Sequence, residues 1–312
     1  MFGVLVLVLA ALAFLVVFVG LLATLARLSN PPIEAAPVLD LLRSARTRAL
    51  VAVGIACLAV AALFTVAATL PDLVGLPYLL APGIAGALGL GAYAAAPPRV
   101  PGPGPGSTTE AFLTRRTPAS FLSRGTRIAL VLAVVAQFTV VFTGLTGSAD
   151  ERGRLREIAF RSGGLASTSG PYGGWFYAGP LLALDVVFLL VLLLALRRIA
   201  ATPALGRAEY AEVDSAWRRA SCRIVVALGV AALLLPGGAL TLVSGIAAGN
   251  DWFPGIARWW AVAARVLLVG GIVMVVGSVV ALAASIAWAL ALPRTVTTDV
   301  GRRSAPAAGG TR

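Results

Sequence analysis

Long apolar stretches with few or no charged side chains dominate this chain. A helix of about 18 or more such residues is long enough to cross the hydrocarbon core of a bilayer. Only 12% of the residues are charged, against roughly 25% in a soluble domain, so the chain lacks the polar surface that a water-soluble globule needs. We therefore predict an all-α, polytopic transmembrane helical bundle, a single membrane domain over 1–312, with seven spans near 2–26, 49–70, 74–96, 128–147, 176–196, 224–247 and 262–292.

Arginine is distributed unevenly along the chain and sets the predicted orientation. All 25 basic residues are Arg, and 19 of them lie in four segments, whereas five lie in the loops at the opposite ends of the spans; the four segments are 27–48, 97–127, 197–223 and 293–312. Arg-rich loops stay on the cytoplasmic side of a membrane. We therefore predict a protein of the cytoplasmic membrane with its N-terminus outside and its C-terminus inside. The expected partners of the net charge of +12 are anionic lipids of the inner leaflet, and no nucleic acid is needed to explain it.

This orientation divides the chain into one leading helix and three hairpins that cross the membrane in the same order. The leading run has no basic residue before it and reaches its first charge at Arg27, which predicts a retained anchor rather than a cleaved signal peptide. The three hairpins either form a parallel repeat, as in some transporters, or reflect the general preference for Arg at the cytoplasmic ends of helices.

The chain has no Lys and no His, and these absences remove most familiar catalytic and cofactor sites. Without Lys there is no Schiff base for retinal or pyridoxal phosphate and no P-loop lysine. Without His there is no His-ligated haem, no HExxH zinc site and no Ser-His-Asp triad. The two cysteines, Cys57 and Cys222, are too few for a metal cluster and are expected to be small residues that are buried or interfacial. We expect no cofactor, no metal and no enzyme activity.

Four segments outside the apolar runs have distinct compositions. The segment 97–127, rich in Pro and Gly, is predicted to be a flexible cytosolic linker, and 293–312 a disordered cytosolic tail. The charged segment 150–161 is predicted to be a short external helix, followed by a flexible Ser/Gly tract. The segment 207–223 has apolar residues at helical spacing, which predicts an amphipathic helix on the inner membrane surface.

Aromatic residues cluster where two spans meet the predicted outer surface. Trp and Tyr concentrate at membrane interfaces because their rings keep an apolar body in the hydrocarbon and a polar tip in water. We therefore predict an outer aromatic belt, although the same rings are also able to line a vestibule for a ligand. Its predicted members are Tyr172, Trp175, Phe176, Tyr177, Trp252, Trp259 and Trp260.

Three short segments carry a resemblance to other proteins. They are the run from Tyr172 to Pro180, the sequence Arg197-Arg198-Ile199-Ala200 and the sequence Trp217-Arg218-Arg219-Ala220-Ser221. Together with the Arg-rich, Lys-free composition, they make the second half of the chain similar to a loose set of uncharacterised actinobacterial multi-pass integral membrane proteins. The resemblance implies a multi-pass membrane protein and implies no activity for any residue.

One carboxylate lies in the middle of a predicted span. Asp185 is at the centre of the run 176–196, where a charged group is costly unless it is protonated, paired or hydrated. Gln137 lies at a similar depth in another span, and Arg265 enters the last span from the outer side. These three residues form either a buried polar cluster that fixes the order of the helices or a proton- or cation-linked transport site.

Two functions follow from these observations. The first is a non-enzymatic membrane component or scaffold that binds other membrane or cytosolic subunits of a larger system. The second is a proton- or cation-coupled secondary transporter that uses Asp185. Dry, close packing around Asp185 favours the first function, and access to it from one face of the membrane favours the second.

Overall fold

The computed structural model describes residues 36–96, 117–162, 165–203, 210–249 and 258–304. Within these ranges the chain forms eight α-helices, one 3-10 turn and three β-strands. In chain order they are α1 (Ala36–Ala68), the 3-10 turn (Pro71–Leu73), α2 (Leu76–Ala95), α3 (Pro118–Phe121), α4 (Arg124–Ala136), α5 (Phe138–Thr146), β1 (Ser148–Ala149), β2 (Leu155–Ser162), β3 (Leu165–Ser169), α6 (Trp175–Ala201), α7 (Ala211–Ala248) and α8 (Arg258–Ser304).

Six helical segments in the described ranges are long and apolar enough to cross a membrane, which confirms the prediction of an all-α transmembrane bundle. Each lies over one of the predicted runs, because a segment surrounded by hydrocarbon satisfies its backbone polar groups by folding as a helix. The predicted first span, 2–26, lies outside the described residues, and the orientation of the bundle stays a prediction. The six segments are Asp40–Ala68, Leu76–Ala95, Arg124–Thr146, Trp175–Ala201, Ala211–Ala248 and Trp259–Leu292.

The central helix of the bundle is α7. In its most apolar window 83% of the residues are buried inside the protein, compared with 22% to 50% for the other spans. Its neighbour α8 packs closely against it. A β-carbon added at Gly245 of α7 would lie 2.5 Å from the backbone nitrogen of Leu268, and one added at Gly271 of α8 would lie 2.5 Å from that of Leu242. Small residues at such positions let the two helix backbones approach each other closely.

A three-stranded antiparallel sheet follows α5 in the chain, where the sequence predicted a short charged helix over 150–161. The middle strand, β2, pairs with β1 on one side and with β3 on the other. Its residues Ile158 and Phe160 are buried, with 1% and 6% of their surface exposed, and they pack near Trp260 of α8. Burial at every second residue is the pattern of a half-buried strand, so the prediction of a helix was wrong. The tract predicted to be flexible includes β3.

The end of the predicted linker 97–127 is ordered rather than flexible. Its last residues form α3 and the first turn of α4. Ser123 caps α4, since its Oγ accepts a hydrogen bond from the backbone N–H of Thr126 at 3.2 Å. The predicted tail 293–312 also begins as structure, because α8 continues through it to Ser304.

The predicted amphipathic surface helix over 207–223 is instead the first part of the central helix. In the described residues α7 runs without interruption from Ala211 to Ala248. Trp217 and Arg218, which the sequence placed at the membrane surface, are 1% and 0% exposed. Because they pack against the ends of neighbouring helices, tertiary contacts outweigh the amphipathic pattern here.

Candidate functional site

Asp185 is buried in the middle of α6, and no hydrogen-bond partner for it lies among the described residues. Its side chain is 6% exposed, and its Oδ2 atom is enclosed with no donor among the described residues. Leu181 and Phe188, about one turn to either side on the same face of the helix, are 0% and 1% exposed. Asp185 therefore belongs to the inward-facing side of α6, where an unpaired charge is costly.

Gln137 separates α4 from α5 within one membrane-crossing segment. Its backbone N–H donates to the carbonyl of Val134 at 3.0 Å, a 3-10 type hydrogen bond that interrupts the regular helix. Its side-chain Nε2 donates to the carbonyl of Leu233 in α7 at 3.0 Å, and its buried Oε1 has no partner in the part of the chain that the structure describes. A β-carbon at Gly237 of α7 would lie 2.6 Å from this oxygen, so the glycine makes room for the amide.

α6 makes an apolar contact with α7 on each side of Asp185. Towards the sheet, Leu181 packs in one cluster with Leu240. Away from the sheet, Phe188 and Ala232 lie side by side against α2. Asp185 is halfway between these contacts and is therefore level with the middle of the α7 stretch between them. Both α7 contacts of the buried glutamine lie in the same stretch. We call Asp185 and this glutamine the midplane polar site.

The helices around the midplane polar site are irregular at its level. Besides the break between α4 and α5, α2 contains the buried pair Pro82 and Gly83. A β-carbon at Gly83 would lie 2.7 Å from Cδ2 of Leu184, the residue before Asp185. Pro236 lies inside α7, and because proline has no N–H it does not donate to the carbonyl four residues earlier.

Arg265 does not join the midplane polar site. It is exposed on α8, in line with exposed Val262 and Val269, and it makes no ion pair with Asp185 in the part of the chain that the structure describes. Its long side chain is free to extend towards the membrane surface instead. The structure therefore brings Asp185 and Gln137 to one level without a hydrogen bond between them and leaves Arg265 apart.

Asp150 organises the turn between β1 and β2. Its Oδ1 accepts backbone N–H groups from Arg152 and Arg154 at 2.9 and 2.8 Å, and its Oδ2 accepts Nε–H of Arg154 and Arg156 at 3.2 and 2.5 Å. Burial alone would raise the pKa of Asp150, but these four hydrogen bonds hold that pKa well below its usual range. The hydrogen bond to Asp150 also raises the pKa of Arg156. This cluster stabilises the sheet.

Two members of the predicted aromatic belt face the interior instead of the lipid. Tyr172 is 0% exposed, and its hydroxyl forms a hydrogen bond of 2.6 Å with Oγ1 of Thr146. Tyr177 is 5% exposed and donates its hydroxyl proton to the carbonyl of Val74 at 2.7 Å. Assigning these two tyrosines to the belt was therefore wrong, because both join the sheet and its neighbouring loop to the bundle.

The other aromatic residues differ in exposure. Trp175 and Trp259 are 39% and 56% exposed, as expected of rings at a membrane surface. Phe176 is partly buried, and Trp260 stacks on Trp259 with 4.2 Å between ring centroids. Trp252 lies outside the described residues. The belt stays a prediction for the exposed rings.

A buried ion pair closes the far end of α6. Arg218 is 0% exposed, and it donates to both oxygens of the Asp214 carboxylate at 3.0 and 2.9 Å. The spacing of the pair was visible in the sequence, but its burial was not. Its remaining donors reach backbone carbonyls that the end of the helix leaves without intrahelical partners. These are the carbonyls of Ile199, Ala200, Thr202 and Pro203.

The fold defines a multi-pass membrane protein, and comparison with known proteins adds no relative to that class. No family model matches the chain, and neither the curated proteins nor the solved structures contain a significant match. The resemblance to actinobacterial membrane proteins therefore stays a prediction, and the function has to be argued from the site.

Proposed function

We propose that this membrane protein binds and releases a proton at Asp185, as a proton-coupled secondary transporter does, and that it is not an enzyme. The observation that carries the proposal is the buried, unpartnered carboxylate in the middle of α6. Ionisable residues inside a membrane are expensive and usually mark the path of an ion or a proton.

Asp185 is enclosed rather than open to one face, which on its own favours a structural role, but its lack of hydrogen bonds among the described residues does not. Polar side chains that hold membrane helices together do so through hydrogen bonds to neighbouring helices, each worth about 0.6 kcal/mol on average. Thr139 and Thr241 form such a contact, with 2.9 Å between their hydroxyl oxygens. Asp185 forms none with the described residues. An apolar residue would fill its position at lower cost, so packing does not explain a carboxylate there.

The small number of potential ligand side chains near Asp185 favours a proton, rather than a metal cation, as the ion that binds there. Hard cations take six or more oxygen ligands in most protein sites. Among the described residues, no group of three or more His, Cys, Asp or Glu side chains is placed to hold a metal ion. A proton needs only one carboxylate oxygen, and its binding removes the cost of the buried charge. Protonation and release at Asp185 therefore change the local free energy strongly.

Because the helices around Asp185 are irregular, protonation of this residue is able to alter how they pack. Secondary transporters commonly place their sites near the bilayer midplane, between helices interrupted by Pro, Gly or unwound turns. Gln137 breaks one membrane-crossing segment at the level of Asp185. Pro82 and Pro236 each lie inside a continuous helix at that level and remove one backbone hydrogen bond from it. Gain or loss of a charge there is able to bias how these helices pack, which is the coupling that transport requires.

Proton flux in liposomes tests the proposal. We expect the reconstituted wild-type protein to dissipate an imposed pH gradient and Asp185→Asn to match protein-free liposomes, because an amide does not ionise. The matched control is Asp72→Asn, which changes an exposed aspartate outside the spans and is expected to behave like wild type. Equal flux through the Asp185→Asn and wild-type proteins would refute a proton site at this residue.

A substrate-independent readout covers the case in which flux requires a second solute. Infrared spectroscopy across a pH titration should show a protonated carboxyl band that disappears in Asp185→Asn and persists in Asp72→Asn. Replacing Asp185 by Leu should raise the free energy of unfolding by about 1–3 kcal/mol, because it removes an unpaired polar group from the interior. Absence of the band, together with a loss of stability in Asp185→Leu, would assign the residue to structure.

The second candidate function is the non-enzymatic scaffold, and the sheet favours it. β3 lies at the edge of the sheet with exposed Ser167 and Thr168, and within the described ranges no further strand pairs with its outer side. An open edge of this kind is able to accept a strand from a partner. Replacing Ser167 by Pro should reduce the size of the native complex in mild detergent if partners bind there. An unchanged size would remove this support for a scaffold.

A further inference from the structure

Arg48 is a partly buried cation with unused donors at the end of the bundle opposite the sheet. Its Nη2 donates to the backbone carbonyl of Tyr93 at 2.8 Å, and its guanidinium carbon lies 4.4 Å from the centre of the Tyr93 ring. Its Nε and Nη1 atoms are enclosed and have no acceptor among the described residues. Buried N–H groups of a charged side chain are expensive to leave unpaired.

Among the described residues Arg48 has no ion pair, and its surroundings supply further donors. Tyr93 packs in one core cluster with Trp217 and Cys222 of α7. The buried hydroxyl of Ser221, the residue before Cys222, has no hydrogen-bond partner among the described residues. Trp217 lies one turn before Ser221 on α7, is 1% exposed, and has an indole Nε1–H without a partner in the described part of the chain. The buried Asp214 forms its ion pair with Arg218. It therefore does not provide an acceptor for the donors around Arg48.

We propose that α1, α2 and α7 form a binding site for a phosphate-bearing anion, with Arg48 as its cation and Trp217 as a second donor. The site uses donors only, which is the composition that selects an anion, and Arg is the residue best suited to phosphate oxygens. Under the predicted orientation it lies at the cytoplasmic membrane surface, where basic pockets between helices bind the headgroups of anionic lipids. The inference does not depend on the proton site at Asp185.

Lipid binding by the purified full-length protein tests the site. Native mass spectrometry with phosphatidylglycerol, and separately with phosphatidylcholine, gives the affinity for the first bound lipid. We expect Arg48→Gln to weaken phosphatidylglycerol binding about tenfold, the loss of one charge-assisted hydrogen bond. The control Arg43→Gln removes the same charge from an exposed position on the same helix and should weaken binding less than about threefold.

Two further arms identify the source of the phosphate and guard against misfolding. Inorganic phosphate at millimolar concentration replaces the lipid; a thermal stabilisation by phosphate alone that Arg48→Gln abolishes would assign the site to a soluble anion. Trp217→Phe removes one N–H while keeping a ring in place, and it should weaken binding by roughly threefold even if Arg48→Gln does not fold. Equal losses in Arg48→Gln and Arg43→Gln, or no loss in Trp217→Phe, would overturn the proposal.

Discussion

Replacing Arg218 by Met removes the guanidinium at the C-terminal end of α6 and leaves its partners in place. The guanidinium is 0% exposed and makes two hydrogen bonds to Asp214 and four to backbone carbonyls. Breaking a buried ion pair from one side costs about 3–5 kcal/mol, because the remaining charge stays buried without compensation. The carbonyls at the helix end are able to recruit water, so we expect a total in this same range rather than the sum of six hydrogen bonds.

The assay is unfolding in mixed detergent micelles, followed as a free energy of unfolding. In the double variant Arg218→Met/Asp214→Leu the buried charge is gone, so we expect a loss of only about 1–3 kcal/mol, from the uncapped carbonyls. Arg197→Met is the control, since it changes an exposed Arg near the end of the same helix and should cost no more than about 0.5 kcal/mol. The reasoning fails if Arg218→Met costs no more than this control, or if the double variant is less stable than Arg218→Met.

Two further predictions use neighbouring residues as matched pairs. Gly271→Ala should destabilise the protein by about 1–3 kcal/mol, because its β-carbon would meet the backbone of α7. Gly270→Ala has open space around it and should stay within about 1 kcal/mol of wild type; equal effects of the two in thermal unfolding would contradict the close contact between α7 and α8. Asp150→Asn should destabilise the protein at pH 7. Because the folded pKa of Asp150 is lowered, its contribution is present above the unfolded pKa of about 3.9 and is lost as the pH falls below it. The difference from wild type should therefore shrink between pH 7 and pH 3. Glu151→Gln, an exposed neighbour, should show no such trend, and a difference for Asp150→Asn that is constant with pH would refute the linkage.

The helical spans were predictable from the sequence because the requirement that produces them is local to each segment. A run without charges in hydrocarbon has to satisfy its own backbone, and the predicted 74–96 differs from Leu76–Ala95 by one or two residues at each end. The sheet was missed although part of its signal is present, since the large apolar residues Ile158 and Phe160 lie two positions apart between Glu157 and Arg161. The density of charges in this segment suggested a helix, but the period of two was the better indicator.

The features that depend on contacts between helices were not predictable in this way. The interruption at Gln137 has no Pro or Gly beside it, and it coincides with a hydrogen bond to α7 that only the folded bundle provides. The close helix contacts at glycine residues could not be predicted from the sequence either. Ala87 and Gly91 have the four-residue spacing that is typical of small residues at helix contacts, yet a β-carbon at Gly91 would meet no atom within 4 Å. By contrast, a β-carbon at Gly271 would lie 2.5 Å from the backbone nitrogen of Leu242, although neither residue four positions away, Leu267 or Val275, is small.

Asp185 differs in its hydrogen bonding from the other buried carboxylates of the described chain. Asp150 accepts four hydrogen bonds beside the sheet, and Asp214 is held by Arg218 at the other end of the bundle. Asp185 is buried to a similar extent and has no partner in the described ranges, although it lies in the middle of a membrane-crossing segment. Asp185 thus departs from the rule that the buried acids of this protein are hydrogen-bonded. Such departures are found more often at functional positions than at structural ones. For this reason the proton site, rather than helix packing, is the better account of why a carboxylate lies in the middle of α6.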